Sequence, residues 1–227
     1  MSRPLRLIIF DVDGTLVDSQ GDILAAMRAG FDALGEPAPA DAAILGIVGL
    51  SLDVAVARLA PHLPAPTRAR IVEGYKAAYM DLRARGGVTH SSPLYPHARE
   101  TIEALHRVPE TLLGLATGKS ARGLDKLLDG HDLRPWFVTR QVADHHPSKP
   151  HPSMIRAALA ETGVAPENAV MVGDTSYDME MAQAAGITGI GVSWGYHRPE
   201  TLTAAARIID DFRELAGVLD TIWSGSR

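Results

Sequence analysis

Apolar residues in this chain follow two patterns, one typical of strands and one typical of helices. Short continuous apolar runs, which favour buried strands, lie at residues 5–10, 112–116, 137–139, 169–172, 187–192 and 208–209. Between the later runs, apolar positions recur at helical spacing, which predicts helices at residues 99–105, 121–128, 153–161 and 177–185. This alternation predicts an α/β fold with a doubly wound parallel sheet.

A long helical stretch separates the first predicted strand from the rest of the sheet. Apolar residues at helical spacing predict helices at residues 18–34, 41–47 and 52–59, and a longer one that begins with Thr67 as its N-cap. No strand pattern interrupts them. We therefore expect residues 1–17 and 88–227 to form the sheet domain and residues 18–87 to form an all-helical cap inserted into it.

Composition narrows the functional class. The chain has 227 residues, of which 46% are hydrophobic, enough for one large domain with a smaller insertion. The absence of cysteine excludes disulfides, thiolate zinc sites and a cysteine nucleophile. The net charge of −5 comes without a basic patch, so nucleic acid is not an expected partner. No apolar run is long enough for a signal peptide or a membrane span, which favours a cytoplasmic protein without membrane contact.

Polar clusters follow three of the predicted strands, where open α/β sheets bind their ligands. Asp11 and Asp13 come directly after the first strand; one can attack phosphorus while the other moves a proton. Thr117 and Gly118 follow the second predicted strand and can hold phosphate oxygens. Each cluster also has a simpler interpretation, as an Asp-Gly turn in the first case and a helix cap in the second.

Two further positions complete the set. Asp174 and Asp178, four residues apart at the start of a predicted helix, can hold a hard cation through oxygen, or can simply cap that helix. Lys149, just before a proline, can neutralise phosphoryl charge, or can be an ordinary surface lysine. Phosphoryl transfer needs a nucleophile, a metal, charge neutralisation and oriented donors, and all four occur along one expected edge of the sheet.

In order, these clusters resemble the four motifs of the haloacid dehalogenase-like hydrolase superfamily. D-x-D-G-T is matched from Asp11 to Thr15, and the strand-ending Ser or Thr by Thr117. Lys-Pro-x-Pro begins at Lys149, and G-D-x-x-x-D runs over residues 173–178. The Thr-Gly-Lys triplet at 117–119 is similar to the Thr-Asn-Lys of the phosphoglycolate phosphatase branch. The resemblance covers nearly the whole chain and implies a Rossmann-like core with an inserted helical cap.

The resemblance also implies roles for these residues. Asp11 would be the nucleophile and a Mg²⁺ ligand, and Asp13 the general acid/base, with its backbone carbonyl also on the metal. Asp174 would ligate Mg²⁺ directly, whereas Asp178 would act mainly through water or by orienting its neighbours. The phosphate-binding residues would be Thr117, Gly118 and Lys149.

The implied function is Mg²⁺-dependent hydrolysis of a small phosphorylated metabolite of the phosphoglycolate type by a monomer or homodimer. Alternatives stay open: a β-phosphoglucomutase-like sugar phosphomutase, an inorganic pyrophosphatase, or a catalytically inactive phosphate-binding or signalling module. Asp13 argues against a dehalogenase, since halide leaves without a proton. Residues 48–52, where such enzymes place a substrate-facing loop, carry no arginine or lysine.

Overall fold

Six parallel strands form one sheet with the first strand near its centre. The computed structural model describes residues 4–224, and its strands are Arg6–Phe10 (β1), Thr111–Thr117 (β2), Thr139–Val142 (β3), Ala169–Gly173 (β4), Thr188–Val192 (β5) and Arg207–Ile209 (β6). Their spatial order is β3-β2-β1-β4-β5-β6, and every neighbouring pair is parallel. The chain builds outward from β1 to β3, then returns to β4 on the other side of β1. The direction of winding therefore reverses between β1 and β4, where such sheets bind ligands.

Helices cover both faces of the sheet. The helices are Gln20–Asp32 (α1), Asp41–Leu45 (α2), Leu52–Leu59 (α3), Ala65–Gly86 (α4), Val88–Ser91 (α5), Ala98–His106 (α6), Ala121–Gly130 (α7), Ser153–Thr162 (α8), Ser176–Ala185 (α9) and Leu215–Ser224 (α10). Side chains alternate across β1: Ile8 and Phe10 pack in one buried cluster with α6, α7 and α10, whereas Leu7 and Ile9 pack in another with α8 and α9. Since both faces of β1 are covered, its sequence is continuously apolar.

The first four helices form a third hydrophobic cluster of their own. Its buried residues come from α1 to α4 and the turns between them: Ile23, Leu24, Met27, Phe31, Ile44, Val48, Val56, Ala60 and Ile71. A separate core in this segment supports the predicted helical cap, while the boundaries at residues 17 and 87 stay a prediction. Among residues 4–224, no helix is both long and apolar enough to span a membrane.

The third strand lies later in the chain than its sequence suggested. We expected it at residues 137–139, but β3 spans Thr139–Val142 and pairs with Gly114–Thr117. Phe137 is buried in the core from the turn before the strand, and its apolar side chain produced the wrong prediction. A strand at the edge of a sheet has one paired side only, so it tolerates polar residues such as Arg140.

The start of the longest cap helix also differs from the expectation. Thr67 was predicted as its N-cap, but α4 begins at Ala65, with Pro64 in the capping position and Pro66 in the first turn. Proline fits the first turn of a helix because the backbone N–H that it lacks would have no partner there. Thr67 therefore lies inside the helix.

Candidate active site

Seven sequence-predicted site residues meet at the carboxyl ends of the strands. Four of them, Asp11, Asp13, Thr117 and Gly118, line one cavity of about 590 Å³ between the sheet and the cap helices. The other three are fully or almost fully buried and lie close to Asp11: Lys149, Asp174 and Asp178. None of the seven is left elsewhere on the molecule.

Lys149 forms a buried ion pair with two aspartates. Its Nζ lies 2.9 Å from Asp11 Oδ1 and 2.7 Å from Asp178 Oδ1. The second oxygen of Asp178 accepts hydrogen bonds from the backbone N–H and the hydroxyl of Thr175, at 3.1 and 2.7 Å. Asp178 therefore caps α9, which is one of its two predicted roles, and contacts Lys149 at the same time.

The carboxylate of Asp11 lacks hydrogen-bond partners within residues 4–224. Lys149 is at ion-pair distance, but among the described residues neither carboxylate oxygen of Asp11 accepts a hydrogen bond of normal geometry. Burial raises the pKa of Asp11 to about 7, against the lowering effect of Lys149 and together with the charge of Asp178. A buried carboxylate with unused oxygens is costly, which indicates that something else binds there.

Asp174 is held in a narrow cradle. Its Oδ1 accepts from the Thr15 hydroxyl at 2.8 Å, and its Oδ2 accepts from the Tyr196 backbone N–H at 2.9 Å. Two glycines lie so close to Asp174 that neither position has room for a side chain. A Cβ at Gly14 would lie 2.2 Å from Asp174 Oδ2, and one at Gly195 would lie 2.1 Å from Asp174 Cβ. Gly14 also has a φ of 82°, a conformation that glycine adopts without strain.

Three of these carboxylates fit a hard cation. One oxygen each from Asp11, Asp174 and Asp178 lie within 4.8 Å of one another, and all three residues are buried. Burial, followed by the charges of Asp11 and Asp178, raises the pKa of Asp174 well above its usual value. Three buried acids face a single ammonium, so a divalent cation with oxygen ligands would remove the excess negative charge.

Asp13 lies in a polar pocket at the wall of the cavity. Ser19 donates a short hydrogen bond to Asp13 Oδ1, and Lys119 Nζ lies 2.7 Å from the same carboxylate. The hydroxyl of Tyr196 is 3.3 Å from Ser19 Oγ, which ties this pocket to the cradle of Asp174. Burial works against the charged form of Lys119, but Asp13 and Tyr79 outweigh it and raise the pKa of that lysine.

The cap packs tightly against the loop after β2 at Gly118. A Cβ on this residue would lie 2.6 Å from the carbonyl oxygen of Leu50 and 2.7 Å from that of Gly49, both in the turn before α3. Ser51 N–H also donates to Ser148 Oγ at 2.9 Å. Residues 48–52 therefore close one wall of the cavity with backbone, in agreement with the lack of charged side chains there.

The comparisons with known proteins agree with this geometry. The sequence profile of the haloacid dehalogenase-like hydrolases matches residues 8–192, which is most of the chain. The chain belongs to this family. A phosphoglycolate phosphatase of Vibrio parahaemolyticus is 31% identical over 227 residues, with 96% of this chain and 97% of the relative covered. A probable phosphatase of Dickeya dadantii is 34% identical, with 93% and 92% covered.

Solved structures show the same architecture. The crystal structure of a hydrolase from Pseudomonas syringae superposes with a TM-score of 0.83 at 26% identity, covering 97% of this chain and 99% of the other. The predicted family and α/β fold class are therefore confirmed. Membership of this hydrolase family, with relatives named as phosphatases, also confirms the prediction of an enzyme of the phosphatase type.

Some residues of this haloacid dehalogenase-like site were not predicted from the sequence. Lys119 was visible in the Thr-Gly-Lys triplet, but nothing in the triplet indicated that its partner is Asp13. Thr15 is the last residue of the first motif and Ser19 follows it closely, so both could have been found by proximity alone. Tyr196 follows a predicted strand, but its contact with Ser19 spans 177 residues of sequence, and no local pattern indicates that pairing.

Proposed function

We propose that this enzyme hydrolyses phosphate monoesters of small metabolites, with phosphoglycolate as the representative substrate, through a phosphoaspartate on Asp11. The observation that carries the proposal is the state of Asp11: a buried carboxylate, open to the cavity, with an ammonium beside it and two oxygens lacking normal hydrogen bonds. The names of its relatives support the substrate class.

Two aspartates have different roles in the proposed reaction, one as nucleophile and one as general acid/base. Asp11 attacks phosphorus and forms a P–O bond, while the bond between phosphorus and the leaving alcohol oxygen breaks. Asp13 donates a proton to that oxygen, so the alcohol leaves neutral. Asp13 then takes a proton from a water that attacks the phosphoaspartate, and the release of inorganic phosphate restores Asp11.

The transferring phosphoryl group needs positive charge and hydrogen-bond donors. In this proposal it is bound by the Thr117 hydroxyl, the Gly118 backbone N–H and the Lys149 ammonium. Burial opposes the charged form of Lys149, but its pKa is raised because Asp11 and Asp178 outweigh that cost, so Lys149 stays charged. Preorganised donors in a buried site stabilise the charge that develops on the phosphoryl oxygens.

We propose Mg²⁺ as the cofactor at the acidic cluster. Asp11 and Asp174 would hold it through carboxylate oxygens and Asp13 through its backbone carbonyl. Asp178 would act by orienting Lys149, since both of its oxygens already accept hydrogen bonds. When bound, the metal neutralises phosphoryl charge and so assists attack by an anionic nucleophile.

The test is phosphate release from phosphoglycolate with Mg²⁺, using Asp11→Asn as the inactive control. Phosphate release by the wild-type protein and none by the variant is the expected result. Mass spectrometry of the quenched wild-type enzyme should find one added phosphoryl group on the peptide that contains Asp11. Turnover in Asp11→Asn equal to wild type would refute the covalent mechanism.

The same assay separates the alternatives. A sugar phosphomutase would isomerise a sugar phosphate without releasing phosphate, and a pyrophosphatase would prefer pyrophosphate. A catalytically inactive binding module would bind the substrate but turn over none of these compounds. We propose a cytoplasmic monomer or homodimer, which sedimentation of the purified protein and cell fractionation would test.

A further inference from the structure

One face of the long cap helix α4 lines the cavity beyond Asp13. Its residues Val72, Tyr75, Tyr79 and Arg83 contribute to the wall, at intervals of three or four positions that put them on the same side of a helix. Arg83 is only 7% exposed. The cations missing from residues 48–52 are therefore supplied by another part of the cap.

The guanidinium of Arg83 has unused donors. Its Nη2 donates to Ser92 Oγ at 2.8 Å, but Nε and Nη1 are buried and, among the described residues, have no hydrogen-bond partner. The carboxylate of Asp22 lies beside it, but Asp22 Oδ2 is 3.9 Å from Nε, beyond hydrogen-bond range. A buried guanidinium with unsatisfied N–H groups is costly unless an anion occupies the site.

Arg83 is linked to the proposed general acid through two side chains. Its guanidinium lies 4.7 Å from the centre of the Tyr79 ring, and the Tyr79 hydroxyl is 3.2 Å from Lys119 Nζ. Lys119 in turn contacts Asp13 at 2.7 Å. Because Asp13 would give its proton to the leaving oxygen, the group attached to that oxygen lies on this side of the cavity.

We propose that Arg83 binds a carboxylate on the leaving alcohol and so selects phosphate esters of small hydroxy acids. The proposal rests on the phosphomonoesterase activity proposed above. Of the other cations that line the cavity, Lys119 is already paired with Asp13, and three are exposed: Lys76, Arg122 and Lys126. Arg83 differs from them because its guanidinium is buried, has unused donors and is only partly balanced by Asp22. That charge matches a monoanionic carboxylate better than a second, dianionic phosphate.

Kinetic measurements on the wild-type enzyme test the proposed substrate class directly. Its kcat/KM should be at least about tenfold higher for phosphoglycolate than for ethyl phosphate or phosphoglycolamide, which lack the anion, because a hydrogen bond to a charged group contributes about 1.5–3 kcal/mol. Equal values for the three substrates would overturn this proposal while leaving the phosphatase activity intact. No turnover of any of them would instead count against the proposed function.

The variant Arg83→Met assigns the preference to this residue. We expect kcat/KM for phosphoglycolate to fall by about tenfold to a hundredfold more than kcat/KM for ethyl phosphate, mainly through KM. Arg83→Lys, which keeps the charge, should lose less. Arg85→Met, an exposed arginine on the same helix, is the matched control and should keep the wild-type preference.

A purely structural role for Arg83 predicts a different result. If Arg83→Met lowered kcat/KM equally for the charged and the neutral substrates, their ratio would stay unchanged and the proposal would be overturned. Thermal unfolding of each variant reports whether the fold survives. If Arg83→Met does not fold, the ratio measured with Arg83→Lys decides: an unchanged preference together with a normal unfolding temperature would refute the role of the guanidinium's donors.

Discussion

The ammonium of Lys119 lies 2.7 Å from the carboxylate of Asp13, and both side chains are about nine-tenths buried. This pair connects the loop after β2 to the loop after β1 at the point where the leaving group would lie. Since water is largely excluded, the pair attracts more strongly than it would on the surface. The position of Asp13 is therefore set by Lys119 on one side and by Ser19 on the other.

Replacing Asp13 with Asn should separate the two chemical steps. Turnover of phosphoglycolate should fall by ~10²–10⁴, since an amide cannot donate the proton that an alkoxide leaving group needs. With p-nitrophenyl phosphate the leaving group needs no proton, so the first turnover should still release p-nitrophenolate in a burst. Stopped-flow absorbance measures that burst. A burst slowed as much as the turnover of phosphoglycolate would contradict the role of Asp13 as an acid.

Asp11 should make the metal-free protein less stable as pH rises. Its pKa is about 7 in the fold against 3.8 in an unfolded chain, so the folded state binds more protons between these values. Stability relative to Asp11→Asn should therefore be highest below about pH 4 and should decline up to about pH 7. Thermal unfolding in EDTA measures this, with the exposed Asp220→Asn as a control that lacks the trend.

Adding Mg²⁺ should reverse that trend. Metal binding needs ionised carboxylates, so its stabilising effect should grow with pH across the same range. Unfolding temperatures with and without Mg²⁺, at about pH 5 and about pH 8, provide the comparison. An equal Mg²⁺ effect at both pH values, or an undiminished effect in Asp11→Asn, would argue against a metal bound by Asp11.

Gly195→Ala should displace Asp174. The added Cβ would lie 2.1 Å from Asp174 Cβ. Because the backbone fixes the position of each Cβ, side-chain rotation cannot relieve this contact. We expect activity or apparent Mg²⁺ affinity to fall by about 10–100-fold, as when the support of a metal ligand is lost. Phosphate release over a range of Mg²⁺ concentrations measures the effect. Gly217→Ala, in α10 with open space around it, is the control and should keep full activity.

Gly118→Ala should push the cap away from the sheet. Its Cβ would meet the backbone oxygens of Leu50 and Gly49 at 2.6 and 2.7 Å, and backbone cannot rotate aside. We expect kcat/KM to fall by about a hundredfold, because misplacing a reacting group by about 1 Å has that effect. Hydrogen exchange of residues 48–52 should rise. Gly21→Ala, with open space around it, should change neither quantity.

The amino-acid pattern alone predicts the order of strands and helices and the positions of the polar residues that follow the strands. Parallel strands end at the same edge of a sheet, so Asp11, Thr117 and Asp174 could be expected to meet there without any knowledge of contacts. The continuous apolar run of β1 marked a central strand because both of its faces are buried. The polar edge strand β3 lacked that signal, and its predicted position was wrong.

The surroundings of those residues depend on tertiary packing. Lys119 pairs with Asp13 across 106 residues, and Tyr196 reaches Ser19 across 177. Arg83 has an ordinary place in a helix, and its buried, unsatisfied donors exist because the cap packs over the sheet. Such contacts depend on how separate elements pack, which periodicity within one element does not encode. Asp11 could therefore be proposed as the nucleophile from the sequence, whereas the side chains around the proposed leaving group became visible only in the fold.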